Sequence, residues 1–228
     1  ISASRRFDQL IYSLIEQRLH VKDHSRDLLQ ILIDARDDDG TSMSHKQIRD
    51  EIMTLLMAGH ETITNTMAWT MVLLSQNSDY QERLNQEAPS FWENDKLLES
   101  NFNKQNLHMS VIEEAMRLWP PVWAFMRQAA RTIELKHLSL KKGDIVFLMP
   151  YFTQRSADFW EKPKDFYPER FLNNSKIIPG SYLPFGLGPR MCIGKIFAQV
   201  EAKLILAYLS ENFVWESTKV EPQKVEAG

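Results

Sequence analysis

Phe185–Gly194, "FGLGPRMCIG", holds the only cysteine of the 228-residue chain. Gly186, Gly188 and Gly194, Pro184 and Pro189, and Arg190 crowd round Cys192. An apolar helical pattern begins straight after it and runs over 193–210, with Ile193, Phe197, Val200, Leu204, Ala207 and Tyr208 expected on one side. A thiol just before a helix meets unpaired N–H groups and the positive end of the helix dipole, and Arg190 adds positive charge, so its pKa is expected to fall. The glycines allow backbone angles, or close approaches, that a Cβ would block. Three readings fit: an inert buried cysteine, a nucleophile, or a metal ligand. The nucleophile reading lacks a histidine base nearby in sequence. The ligand reading needs a metal that brings most of its own coordination, as a haem does with four nitrogens.

Bulk composition narrows the partners. The chain is 43% apolar and 25% charged with a net charge of −3, which predicts a soluble globular protein and no nucleic acid partner. A single cysteine excludes an internal disulfide and a multi-cysteine zinc site. The chain opens Ile1-Ser2-Ala3-Ser4 and is expected to be part of a longer polypeptide. Residues 52–74 form its most apolar long stretch. They contain His60, Glu61, Asn65 and five threonines, which predicts a buried helix and no membrane segment in this chain.

Periodicity predicts helices at 7–19, 26–36, 45–76, 79–88 and 106–119, the last stopped by Pro120-Pro121. "RDDDGTS" (36–42) reads as a loop. Ser44 and Gln47 form a capping box at the start of the long helix. "RTIEL", "LSL" and "IVFLM", between 131 and 149, read as short strands. Residues 150–191 form an aromatic, Pro- and Gly-rich coil with little periodicity. The fold class is mainly α with a minor β-sheet.

On the long helix, Ile48, Ile52, Leu55, Gly59, Thr62, Thr66, Thr70 and Leu73 share one face that is small at its centre. Gly59 costs roughly 1 kcal/mol relative to Ala, so either a ligand fills the gap or a close helix crossing does, its threonines bonded back to the preceding turn. "HETIT" lacks the second histidine of a zinc-protease helix. Glu114 and Arg117 lie three apart on one helix side. If exposed, such a pair contributes only ~0.2–0.5 kcal/mol. Arg170, in "YPERF" (167–171), offers a second guanidinium that would pin the coil to this helix.

Four motifs in order make the chain resemble the C-terminal half of a cytochrome P450, a haem-thiolate monooxygenase: "AGHET" (58–62), "EAMR" (114–117), "YPERF" (167–171) and "FGLGPRMCIG" (185–194). The resemblance runs from about 44 to 210 and implies a single partial domain over 1–228, with the family's N-terminal half absent. It implies haem b as cofactor, with Cys192 as the axial thiolate on iron, Phe185 beside the sulfur, Gly186 and Gly194 shaping the loop, and Arg190 on a haem propionate. Arg127, ahead of Arg131, is the second propionate partner. Gly59 and Thr62 would face the distal side, Thr62 and Glu61 steering protons to bound O₂. Glu114, Arg117 and Arg170 would be a structural triad. "PPVWAFM" (120–126) would touch an apolar small-molecule substrate. Ile63 replaces a second hydroxyl residue, and Gln154-Arg155 replaces His-Arg. No dinucleotide fingerprint is present, so the resemblance implies a separate electron donor, a reductase or ferredoxin. It also implies a cytoplasmic enzyme if the parent is of soluble bacterial type, any anchor lying in the absent half. Two alternatives stand beside it: an inactive truncated fragment, and a haem-binding, peroxide-using protein without monooxygenase turnover.

Overall fold

The computed structural model describes residues 3–20, 27–94, 96–104, 106–172 and 177–217. The first residue of the expected helix 26–36, and residues 173–176 of the expected coil, lie outside the described residues. The chain divides into two compact units, 1–61 and 62–228.

In the first unit, α1 (Ala3–His20) and α2 (Leu28–Asp34) pack with the start of α3 (His45–Ser75). Ile11, Ile15 and Ile48 are buried there, with Leu29, Leu32 and Met53 against them. The capping box forms: the Ser44 N–H donates to Gln47 Oε1 at 2.8 Å, and the Gln47 N–H to Ser44 Oγ at 3.3 Å. Asp27 caps α2 by accepting from the Gln30 N–H at 3.0 Å and takes both arms of Arg18 at 2.6 Å. The 36–42 loop closes on a bridge between Arg36 and Ser42.

The second unit contains the rest of α3, α4 (Ser78–Glu87), the strands β1 (Trp92–Glu93) and β2 (Lys96–Leu97), α5 (Glu99–Phe102) and α6 (Leu107–Leu118). It continues with β3 (Phe125–Gln128), β4 (Ile133–Leu135), β5 (Leu138–Leu140), β6 (Ile145–Leu148), α7 (Pro150–Thr153), α8 (Glu169–Leu172) and α9 (Lys195–Asn212). Among the described residues the strands form three antiparallel pairs, β1–β2, β3–β6 and β4–β5. Phe125 stands opposite Leu148 and Gln128 opposite Ile145. The pieces between 88 and 103 had no counterpart in the sequence reading, because elements of two to four residues are too short to show a period.

At the centre lies α6, buried at every position but Glu113. Asn106 caps it by accepting from the Met109 N–H at 3.1 Å, and Glu87 Oε2 takes the Leu107 N–H at 3.1 Å. Val111, Ile112 and Met116 pack against Met67 and Leu74 of α3, Leu84 of α4 and Leu206 of α9. Each such side chain contributes roughly 1.5–3 kcal/mol of burial. A helix enclosed on all sides must pair its polar groups inside the protein.

The stripe read on one side of α9 is mostly not its buried face. Ile193 is 92% exposed, and Phe197, Val200 and Tyr208 are exposed too; the buried face is Ala202, Lys203, Leu206, Ala207 and Ser210. The helix is apolar nearly all round, so its pattern did not select a face. Apolar residues of the long helix are exposed likewise, Leu56 and Met57 among them. Thr66 and Thr70 donate back to the Thr62 and Thr66 carbonyls at 2.8 Å, the local bonding expected of threonines in a helix interior. A Cβ added at Gly59 would meet nothing within 4 Å.

Candidate functional site: the cysteine loop and its anchor

Backbone bonds build the cysteine loop, the Met191 N–H to the Gly188 carbonyl at 3.0 Å among them. The Gly186 N–H donates to the Leu183 carbonyl at 3.1 Å, and the Cys192 N–H to the Phe185 carbonyl at 2.9 Å. Gly186 and Gly188 sit at φ +72° and +75°, where side-chain-bearing residues are strained, so these two glycines are needed for the turn. Gly194 caps α9 at an ordinary φ, and a Cβ there would meet only the Cys192 sulfur at 3.9 Å. The loop delivers Cys192 to the surface, which removes the reading of an inert buried cysteine. Phe185 is partly buried against the central core, and Arg190 is exposed.

Beside Arg190, the loop and the first turn of α9 expose apolar side chains: Leu187, Met191, Ile193, Ile196 and Phe197. Among the described residues no group of three or more His, Cys, Asp or Glu could hold an ion. A lone cysteine on a loop with uncovered apolar side chains suits an iron that brings four nitrogens in a flat apolar ring. The residues present therefore fit a haem.

Behind the loop lies its anchor. Glu114 and Arg117 are both fully buried, and Arg170 nearly so. Arg117 has five N–H groups and five acceptors. Nε and Nη2 donate to the two Glu114 oxygens at 2.7 and 2.8 Å. Nη1 donates to the Gln154 and Pro163 carbonyls at 2.7 Å, and Nη2 to the Asp165 carbonyl at 3.0 Å. Glu114 Oε1 also accepts from the Tyr167 N–H at 2.9 Å and from Arg170 Nε at 3.1 Å. Arg170 reaches the Glu161 carbonyl at 2.9 Å and the Lys162 carbonyl at 3.2 Å. Both guanidiniums lie over the Trp160 ring, 5.2 and 5.8 Å from its centroid. The structure thus brings Glu114, Arg117 and Arg170 into one cluster and ties 161–170 of the coil to α6.

The other sequence candidates are not assembled with it. Arg127 lies on exposed β3, its guanidinium donating to the Met126 carbonyl at 2.8 Å and stacking 5.0 Å over Phe125. Arg131 is exposed. Gly59 and Glu61 lie in the first unit and Thr62 in the second.

Two buried groups escaped the sequence reading. His108, fully buried on α6, stands 3.2 Å from Glu87 Oε1 through Nδ1 and 2.8 Å from Ser210 Oγ through Nε2. Burial lowers its pKa, so it is neutral near pH 7. With the proton on Nδ1, the ring donates to the Glu87 carboxylate, and Nε2 shares the Ser210 hydroxyl with the Ala207 carbonyl, which that hydroxyl reaches at 3.1 Å. Burial works against the Glu87 charge, yet His108 and the Leu107 N–H hold its pKa below the ordinary value. Lys203, also buried, donates to the carbonyls of Phe102 and, at 2.9 Å, Lys104, ending α5. Burial brings its pKa down to about 8. A lone buried histidine or lysine carries no sequence signal, since its partners come from other helices.

The cytochrome P450 family model matches residues 2–228. The chain belongs to the cytochrome P450 family. It is 34% identical to the cyclooctatin synthase of Streptomyces melanosporofaciens, over 98% of this chain and 52% of that protein. To the human cytochrome P450 4V2 it is 33% identical, over 87% of this chain and 38% of that protein. The solved structure of the cyanobacterial CYP120A1 with retinoic acid bound superposes with a TM-score of 0.84 at 32% identity, covering 94% of this chain and 50% of that one. The chain therefore spans about half the length of the P450 relatives it matches, and its fold is the matching part of the P450 fold. Haem b is the cofactor of P450 proteins. Among the described residues no helix is long and apolar enough to cross a membrane.

Proposed function

We propose that this chain supplies the thiolate side of a P450 haem site, within a protein that inserts one oxygen atom of O₂ into an apolar organic substrate. The observation that carries the reading is the exposed thiol of Cys192, presented by a loop with two left-handed glycines and surrounded by uncovered apolar side chains. The haem, when bound, supplies the O₂ activation. Cys192 would ligate the iron as thiolate, and its N–H bond to the Phe185 carbonyl fixes the backbone at that residue. Arg190 and Arg127, both exposed guanidiniums, hold propionates, since a fork of donors suits a carboxylate. Thr62 is the proposed proton-route residue on the distal side, and, apart from the helix's own backbone, a Cβ on Gly59 would meet nothing within 4 Å. Glu114, Arg117 and Arg170 are structural: they hold the coil against α6 and touch no reacting atom. Electrons come from a separate reductase or ferredoxin, and the whole chain is one part of a larger haem domain.

The test is Cys192→Ser in the full protein, with a surrogate redox chain. Product formation and the reduced-carbonyl spectrum of thiolate ligation should both vanish; if both persist unchanged, the reading fails. Peroxide-supported turnover without NAD(P)H consumption would instead favour a peroxide-using relative.

A second reading has its own observation. Apolar residues on α9 and the long helix are exposed, among them Ile196, Phe197 and Met57. On that reading the 228 residues alone bind haem below stoichiometry and do not turn over. Purifying them with one haem per chain and a thiolate-type carbonyl spectrum would overturn it.

A further inference from the structure

Gln154 stands where the resemblance expects a histidine, and it is fully buried. Its carboxamide has two N–H groups and a carbonyl oxygen. Nε2 donates to the Met116 and Arg117 carbonyls, both at 3.0 Å. These lie in the last turn of α6, where helix carbonyls have no partner within the helix. Oε1 accepts the Leu183 N–H at 2.8 Å. Two carbonyls on one side and an N–H on the other fix which way the amide points. The main-chain carbonyl of Gln154 accepts from Arg117 Nη1 at 2.7 Å, so the residue is held from both ends.

Leu183 opens the cysteine loop. Two further bonds secure its neighbours: Trp160 Nε1 donates to the Ser181 carbonyl at 3.3 Å, and the Tyr182 hydroxyl to the Glu113 carbonyl at 3.0 Å. Beyond Leu183, its carbonyl accepts the Gly186 N–H, and the Phe185 carbonyl accepts the Cys192 N–H. An unbroken run of hydrogen bonds and short peptide links joins the end of α6 to the thiol. Gln154 is the one side chain in that run that touches both α6 and the loop backbone.

We propose that Gln154 is the positioning residue of the cysteine loop, its carboxamide tying the C-terminal turn of α6 to the Leu183 backbone and so setting where Cys192 stands. The proposal rests on reading Cys192 as the haem ligand. It also explains why an amide serves here. Neutral imidazole offers one donor and one acceptor, and would leave one α6 carbonyl unpaired. Imidazolium offers two donors and none of the acceptor that Leu183 requires.

The test uses the full chain with haem and two variants, Gln154→Leu and Gln154→Glu. Leu fills the space with no polar atom. Glu keeps the acceptor for Leu183 but buries a carboxylate beside two carbonyls. If Gln154 served only packing, Leu would be tolerated at least as well as Glu. Positioning predicts the reverse order at the loop. Amide exchange of Leu183 is read against amides of α4 as an internal reference. Gln154→Leu should speed Leu183 exchange about tenfold, the factor for one ordinary hydrogen bond, with α4 unchanged; Gln154→Glu should stay near the parent. The thiolate-ligated fraction of the reduced carbonyl complex should follow the same order. Equal exchange in the two variants, faster exchange in Gln154→Glu, or uniform loss of protection in Leu183 and α4 alike overturns the proposal. The exchange readout does not depend on iron ligation. A Cys192→Ser protein that kept its thiolate signature would sink the haem reading while leaving the Leu183 result to be judged on its own.

Discussion

Replacing Arg117 by lysine keeps the charge and removes the fork. The parent guanidinium uses five N–H groups on five acceptors, with no exposure to water. An ammonium has three donors at one point. Two of the five bonds are lost, and because only Glu114 Oε1 keeps other donors, from Tyr167 and Arg170, at least one acceptor among Glu114 Oε2 and the Gln154, Pro163 and Asp165 carbonyls is left unpaired. Each lost charge-assisted bond or unpaired buried group costs about 1–3 kcal/mol, so the two lost bonds and the unpaired acceptor cost about 3–5 kcal/mol together. Against a typical total of about 5–15 kcal/mol, that is about a fifth of the stability or more. The same pair, judged from its i, i+3 spacing as an exposed contact, would be worth about 0.2–0.5 kcal/mol. Burial therefore decides between negligible and severe by a factor of roughly ten. Urea unfolding of Arg117→Lys beside the parent, in the haem-loaded full protein, should show the midpoint falling with little change in slope. The thiolate signature should fade at lower urea, because the coil carrying Gln154 and Leu183 loosens with it. A loss below about 1 kcal/mol, with the signature intact, would refute the claim that this cluster holds the coil.

Three further outcomes follow from single residues. Gly59→Ala meets nothing within 4 Å and should stabilise the long helix by roughly 0.5–1 kcal/mol while slowing oxygenation; unchanged turnover would remove Gly59 from the proposed distal face. His108 has a lowered pKa, so below its ordinary value of 6.5 the unfolded chain binds more protons and stability is lost as pH falls; His108→Gln should flatten that acid limb, and an unaltered limb would refute the assignment of a neutral buried histidine. Lys203, with its pKa near 8 against an ordinary 10.5, makes the unfolded chain bind more protons between those values, so stability should rise with pH across that window, by at most about 3 kcal/mol; Lys203→Met should abolish the rise, and its persistence would show that another group causes it.

What the sequence made legible was local. The capping box at Ser44, the stop at Pro120-Pro121 and the short strands between 131 and 149 are decided within a few positions, and the structure forms them there. The left-handed turns at Gly186 and Gly188 belong to the same class. The long helix ends one residue from where periodicity put it. The face of α9 did not come through, because a helix apolar on most sides leaves the choice to whatever surrounds it.

Long-range pairing explains the remaining gap. Gln154 meets Met116 and Leu183 across separations of 38 and 29 residues, and His108 meets Ser210 across 102. No period or spacing encodes such contacts; only the enclosure of α6 on every side does. Once that helix is buried, each polar group on it must find a partner: Glu87 and Ser210 serve its N-terminal half, and the coil and the loop serve its C-terminal half. That requirement links stability to chemistry in this chain. The groups that satisfy α6, namely Arg170, Gln154 and Tyr182, are carried by the segments that precede Cys192. Satisfying the buried helix and aiming the thiol are thus one structural act, and a substitution that leaves α6 unpaired should disturb the cysteine before it unfolds the protein.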